Sequence, residues 1–398
     1  MNKTTSDINS GAPLEARVQR LFMCQGAFAE RQLFVRAAGE NSNLVTDIDV
    51  LAHDYNINLH HRRIYAECKG GKNVRILDRL VWICGVKKII DAEFAYLIVN
   101  HCDQSSLSFA RSQGVEVLQI SGLKALENSL WIGNSFWPGR SNISKCFVIE
   151  SKIANTIKNR ISEELGQWLN KAAQLWREAS ALSFSYGRLN VLFSILEEFQ
   201  LLINRGIAEN DKEMVKYALS ALFVRLSQYI LFAASDTLNM PKSEREKYLS
   251  VRMAIGDTGI ATTRRVLDSC ERMVNASLKE NDVDKKIKLD IERMLKAPSY
   301  TAPFINMVER IIGEGYRATL LPLTLELCLF GYAGNEKESG GLIKRITNCL
   351  STAAIVRAFA IQTLKIPDEY IKNTFDTPQN EKAKDSLFKG TSQKPHQE

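Results

Sequence analysis

Three residues on two short apolar runs carry the chemistry of this chain. Asp49 lies inside LVTDIDVLA (44–52), and Glu67 and Lys69 lie inside RIYAECK (63–69). On an extended strand successive side chains alternate faces, so Glu67 and Lys69 point one way and Cys68 the other, into the core. If the two runs pair, Asp49 can fall beside Glu67 on the same face. Two adjacent carboxylates form a hard-oxygen site suited to Mg2+ or Mn2+, with positions left for water and phosphate. A lysine two residues on can stabilise a charged phosphate or help to deprotonate an attacking water. These are the ingredients of metal-assisted phosphodiester hydrolysis. A lone E-x-K more often marks a solvated strand face, and a lone D-x-D in a hairpin is commonly turn chemistry. Here both sit in the middle of apolar runs, where an unpartnered charge is costly. Asp47 shares the face of Asp49 by the period of two and is a second candidate ligand.

Such a site needs strands to hold it, and the surrounding pattern supplies them. Leu14–Gly26 reads as an amphipathic helix closed by Gly26, Leu33–Ala37 as a short strand, and Leu44–Ala52 and Arg63–Lys69 as strands. HDYNINLHHR between the last two has the turn-forming Asp and Asn of a hairpin. Val74–Asp91 is helical, Phe94–Asn100 an apolar strand, Ser106–Gln113 a helix closed by Gly114, and Val115–Ile120 a last strand. The order predicts an α/β sandwich whose mixed sheet is flanked by helices. From about Ile153 the spacing turns almost purely helical, over Ile153–Arg177, Leu182–Asn204, Glu213–Ala234, Thr262–Leu278, Lys285–Leu295 and Leu342–Leu364. No fixed-period repeat marks a solenoid. The expected organisation is an α/β unit over residues 14–125, a linker over 126–150, an all-α domain over 151–374 and a disordered polar tail over 375–398.

The net charge of +7 over 398 residues permits a polyanionic partner without requiring one, and neither half is a strongly basic arm. Eight scattered cysteines include no C-x-x-C pair, which argues against a zinc ribbon or thioredoxin-like site and fits a reducing compartment. The N-terminus lacks the apolar core of a signal peptide. The most membrane-like stretch, Ala218–Ser235, carries Arg225 and Gln228 near its middle and reads as a buried core helix. Cytoplasmic placement without a membrane partner is the expectation.

LEARVQRLFMCQG, VTDIDVLA, YAECKGG, FAYLIVN and ARSQGVEVLQIS, in that order, resemble the restriction-endonuclease-like PD-(D/E)xK superfamily, and its Mrr-like and archaeal Holliday-junction-resolvase branches in particular. The resemblance covers about the first third of the chain. It implies that Asp49 and Glu67 are metal ligands, that Lys69 is the catalytic lysine, that the backbone carbonyl of Cys68 is a further ligand, and that Glu15 is the acidic residue of the first helix. It favours Asp49 over Asp47. It implies a Mg2+- or Mn2+-dependent nuclease acting on DNA, in a restriction or anti-phage setting. An RNA-cleaving nuclease and a non-catalytic nucleic-acid-binding or assembly module on the same fold are the alternatives. The helical half would then serve a homo-oligomer or a defence-system partner. Candidate phosphate contacts are Lys72, Arg75 and Arg79 at the start of the helix after the site, and Arg62 and Arg63 at the hairpin. A solvated face with Arg75 and Arg79 paired to Asp78 is the plainer reading of the former group, and an exposed loop that of the latter.

Overall fold

In the computed structural model, residues 11–36, 43–71, 74–141, 143–159, 163–177, 184–280, 287–288 and 296–371 are described. The tail over 375–398, Lys72, and nearly all of the helix expected at Lys285–Leu295 lie outside them.

The N-terminal unit is a mixed five-stranded sheet in sequential order. Strands β1 (Phe28–Arg36), β2 (Leu44–Tyr55) and β3 (His61–Lys69) are antiparallel, and β4 (Phe94–Val99) and β5 (Val115–Gln119) continue parallel to β3. The Asn56 side chain accepts hydrogen bonds from the backbone N–H groups of Asn58 and His60, which closes the expected hairpin between β2 and β3. The parallel strands need crossovers, and helices α2 (Ile76–Ile89) and α3 (Gln104–Ser112) provide them. One sheet face buries Tyr65, Leu97 and Val99 against Leu80, Ile83 and Val86 of α2 and Ala110 of α3. The other buries Ala52, Ala66, Cys68 and Ile98 against helix α1 (Gly11–Gln25), whose end is marked by Gly26 at a left-handed φ of +107°. Helix α4 (Ile120–Ser129) completes the unit. The expectation of an α/β unit with a mixed sheet and flanking helices is met. Strand β1, however, begins five residues before the predicted Leu33.

The remainder is mostly helical. Helices α5 (Ile143–Asn159), α6 (Glu163–Arg177), α7 (Tyr186–Arg205), α8 (Glu209–Thr237), α9 (Lys242–Ile255) and α10 (Ile260–Glu280) precede α11 (Thr301–Gly313), α12 (Leu321–Phe330), α13 (Leu342–Thr347) and α14 (Leu350–Gln362). Helix α8 is the axis, touching α5, α6, α7, α11 and α12. It is the one described helix long and apolar enough to cross a membrane, yet 89% of its apolar window is buried inside the protein, as expected of a core helix.

The two units are joined by more than a tether. Residues 126–150 hold the end of α4, the short strand β6 (Trp137–Pro138) and the first half of α5. Strand β6 pairs antiparallel with β7 (Tyr332–Ala333), from the far end of the helical region. Gly139 turns the chain at φ +51°, where a Cβ would stand 2.5 Å from the Glu326 side chain, so glycine alone fits. Beside this turn is a buried charged cluster. Glu30 of β1 accepts a hydrogen bond from Arg225 of α8 (3.0 Å), and Arg140 lies 3.8 Å from Glu30 while binding both oxygens of Glu326. One apolar core runs continuously from Leu14 and Val18 into Leu192, Phe223 and Phe359.

Candidate active site

Strands β2 and β3 pair with Val50 opposite Ala66, and one further step along that register sets Asp49 against Glu67. Both carboxylates converge on a single cation. The Lys69 Nζ lies 3.0 Å from Asp49 Oδ2 and 2.9 Å from Glu67 Oε1. Asp49 Oδ2 also accepts the Cys68 backbone N–H (2.7 Å), and Glu67 Oε2 accepts the Tyr65 hydroxyl (2.6 Å). Tyr65, Glu67 and Lys69 therefore share one face of β3 while Cys68 faces the core, as the alternation predicts. Asp49 and Glu67 are buried and Lys69 is half-buried, so the cluster opens to solvent at the lysine. The Asn100 side chain donates to the Gly70 carbonyl (2.6 Å), fixing the turn that follows Lys69 to the end of β4.

Glu15 joins from α1. Burial, then the charge of Asp49, raises its carboxyl from 4.5 to about 7 against the pull of Arg31, Gln32 and Lys69. Burial and the Glu67 charge likewise raise Asp49. Burial opposes the charge on Lys69, but Asp49 and Glu67 outweigh it and hold the ammonium above its ordinary range. Two carboxylates thus pair with one lysine, with Arg79 at the edge of Glu67 and a third carboxyl, Glu15, beside Asp49.

Two contributors were not anticipated. Tyr65 stands two residues before Glu67, and the period of two could have found it. Gln32 could not have been found so. It lies in β1 at a position opposite Asp49, with a left-handed φ of +53°, and its Nε2 lies 3.3 Å from Glu15 Oε2. A non-glycine residue seldom adopts that conformation inside a strand, and such strain concentrates at sites of function.

The candidate phosphate contacts separate. Arg79 reaches the cluster, with Nη1 3.6 Å from Glu67 Oε1. Arg75 is almost fully exposed and sits 3.8 Å from Asp78, the solvated-face arrangement. Arg62 pairs with Asp54 across the hairpin. Arg63 corrects the expectation of an exposed tip: it is half-buried, with Nη1 donating to the Ile90 carbonyl and lying 3.5 Å from Asp91. His61 turns inward as well, its Nε2 2.8 Å from His53 Nδ1 and its ring edge-on to Phe184 of the helical region. Burial, then the neighbouring His53 and arginine charges, pushes His61 down to about 2, so it is neutral. Asp47 is exposed and stands outside the cluster.

Among the described residues no three His, Cys, Asp or Glu side chains close on one point as a complete metal cage. The donors present fit a cation of another habit. Two carboxylates converging on one point suit Mg2+, which keeps several of its waters and takes only one or two carboxylates. No protein-family model matches the chain, no curated protein matches it, and no solved structure matches it.

Proposed function

We propose that the N-terminal unit is a metal-dependent nuclease of the PD-(D/E)xK type that hydrolyses DNA phosphodiester bonds. The observation that carries this reading is the meeting of Asp49 and Glu67, from neighbouring strands, at one lysine ammonium within 3.0 Å, with Glu15 of α1 beside them. Asp49, Glu67 and the Cys68 carbonyl would hold Mg2+ or Mn2+, and Glu15 would orient it or hold a second ion. When bound, such an ion polarises the phosphate and lowers the pKa of water. The chain supplies the rest. Lys69 stabilises charge developing on the phosphate, Tyr65 fixes the orientation of Glu67, and the Cys68 N–H fixes that of Asp49. Arg79 stands at the rim as the best placed of the phosphate-binding candidates.

A non-catalytic module on this fold has one observation in its favour: Lys69 already satisfies both carboxylates as a closed ion-paired triad. Incubation with Mg2+ or Mn2+ and duplex DNA, single-stranded DNA and RNA, beside an Asp49→Asn control, separates the readings. Metal-dependent cutting of DNA that is lost in the control is the expected result. Cutting of RNA alone would keep the site and change the substrate. Neither cutting nor calorimetric Mn2+ binding would leave the non-catalytic module.

A further inference from the structure

Helix α2 is apolar on both sides, which a helix at a protein surface normally is not. Leu80, Ile83 and Val86 face the sheet and are buried. Leu77, Val81, Trp82 and Ile89 are exposed, by 51%, 63%, 42% and 60%. Residues 77, 81, 85 and 89 recur every fourth position, so they form one ridge, and Trp82 stands in the next row. At Gly85 the ridge has a notch, since a Cβ built there meets nothing within 4 Å. Four large apolar side chains contiguous on one helix face form the kind of patch that monomers rarely leave to water.

We propose that this face pairs with the same face of a second copy of the chain, the two α2 helices running antiparallel about a twofold axis near Val81 and Gly85. Three features select a second copy over other occupants. The face offers both a knob and a notch, so Trp82 of each copy can lie over Gly85 of the other, as a twofold interface requires. Antiparallel pairing sets Leu77 against Ile89 of the second copy, extending the apolar seam over the whole helix. It also brings Asp78, at the N-terminal end of the face, within reach of the second copy's Lys88 at the C-terminal end, so charge and helix dipoles both match. Asp78, 3.8 Å from the almost fully exposed Arg75, and Lys88 are both exposed, whereas Lys87 is already engaged with the Gly114 carbonyl. The pairing stands independently of the nuclease reading. It has a consequence for it, because α2 also carries Arg79: two copies joined there would hold two candidate sites in one fixed relation.

Sedimentation equilibrium of the full chain tests this. Wild type should dimerise, and Gly85→Lys should weaken the dimer on the order of 100-fold, because the substitution enters each interface twice. The same substitution should leave the melting temperature of the dissociated chain unchanged or raised, since lysine is a better helix former than glycine and meets no neighbour there. Asp78→Lys and Lys88→Asp should each weaken the dimer about tenfold, and the double reversal should recover wild-type affinity. A wild-type chain that stays monomeric up to about 100 µM overturns the proposal. So does a dimer indifferent to Gly85→Lys, or one whose charge reversals fail to compensate.

Discussion

Glu30→Gln tests whether the buried charges at the join between sheet and helices hold the protein together. Burial alone would raise the Glu30 carboxyl, but Arg225, His53 and Arg140 overcome it and bring it from 4.5 to about 2. At about 1.4 kcal/mol per pH unit, that difference is on the order of 3 kcal/mol in favour of the folded, ionised state. A depressed carboxyl contributes its full stabilisation above about pH 4.5 and loses it as pH falls toward 2. The glutamine isostere keeps the shape and an acceptor oxygen but removes the charge, so the Arg225 guanidinium is left buried among the neutral Leu175 and Trp176 carbonyls and the Gln228 side chain. Urea unfolding should therefore show Glu30→Gln about 3 kcal/mol less stable than wild type at pH 7, and less than half as much at pH 3. A gap below about 1 kcal/mol at pH 7 would refute the reasoning, as would a gap that stays constant from pH 7 to pH 3.

At the candidate site, Asp49→Asn and Glu67→Gln should lose calorimetric Mn2+ binding and cleavage together. Lys69→Ala should keep metal affinity while cleavage falls on the order of 10²-fold or more. Arg79→Ala should flatten the salt dependence of DNA binding, measured by fluorescence anisotropy, by about one unit of slope. Arg63→Ala should leave that slope unchanged and instead lower the melting temperature, because Arg63 holds the Ile90 carbonyl. Gln32→Gly should relieve the left-handed strain and raise stability by about 1 kcal/mol in denaturant titration, while cleavage falls with loss of the contact to Glu15. Stability lost rather than gained would show that the Gln32 conformation is not strained.

What the sequence made legible was what depends on local period. The alternation in YAECK sets Glu67 and Lys69 on one face, and the apolar runs mark β2 to β5 to within a few residues. The start of β1 was not legible, because the polar Glu30, Arg31 and Gln32 interrupt the apolar pattern ahead of Leu33. The residue that makes Glu30 tolerable inside a core, Arg225, lies 195 positions away. Partners remote in sequence also hid the burial of Arg63 and His61. Arg63 and His61 look like a basic patch beside their neighbours, and only the Ile90 carbonyl, Asp91 and Phe184 turn them inward. The φ of Gln32 leaves no trace in residue type at all, since glutamine has no preference for that region.

The contacts between the two ends of the chain also set an order of events during synthesis. Glu30 leaves the ribosome 195 residues ahead of Arg225, and the Gln25 carbonyl 320 residues ahead of Arg345, which donates to it. At about 5–20 residues per second the first interval is roughly 10–40 s and the second roughly 16–64 s. Through that time the sheet and α1 can form and pack together, but the Glu30 carboxylate still awaits Arg225 and strand β6 still awaits β7. The newly made N-terminal unit therefore carries an uncompensated charge and an unpaired strand until the helical region is complete, whereas Asp49, Glu67 and Lys69 meet through contacts made within residues 15–79.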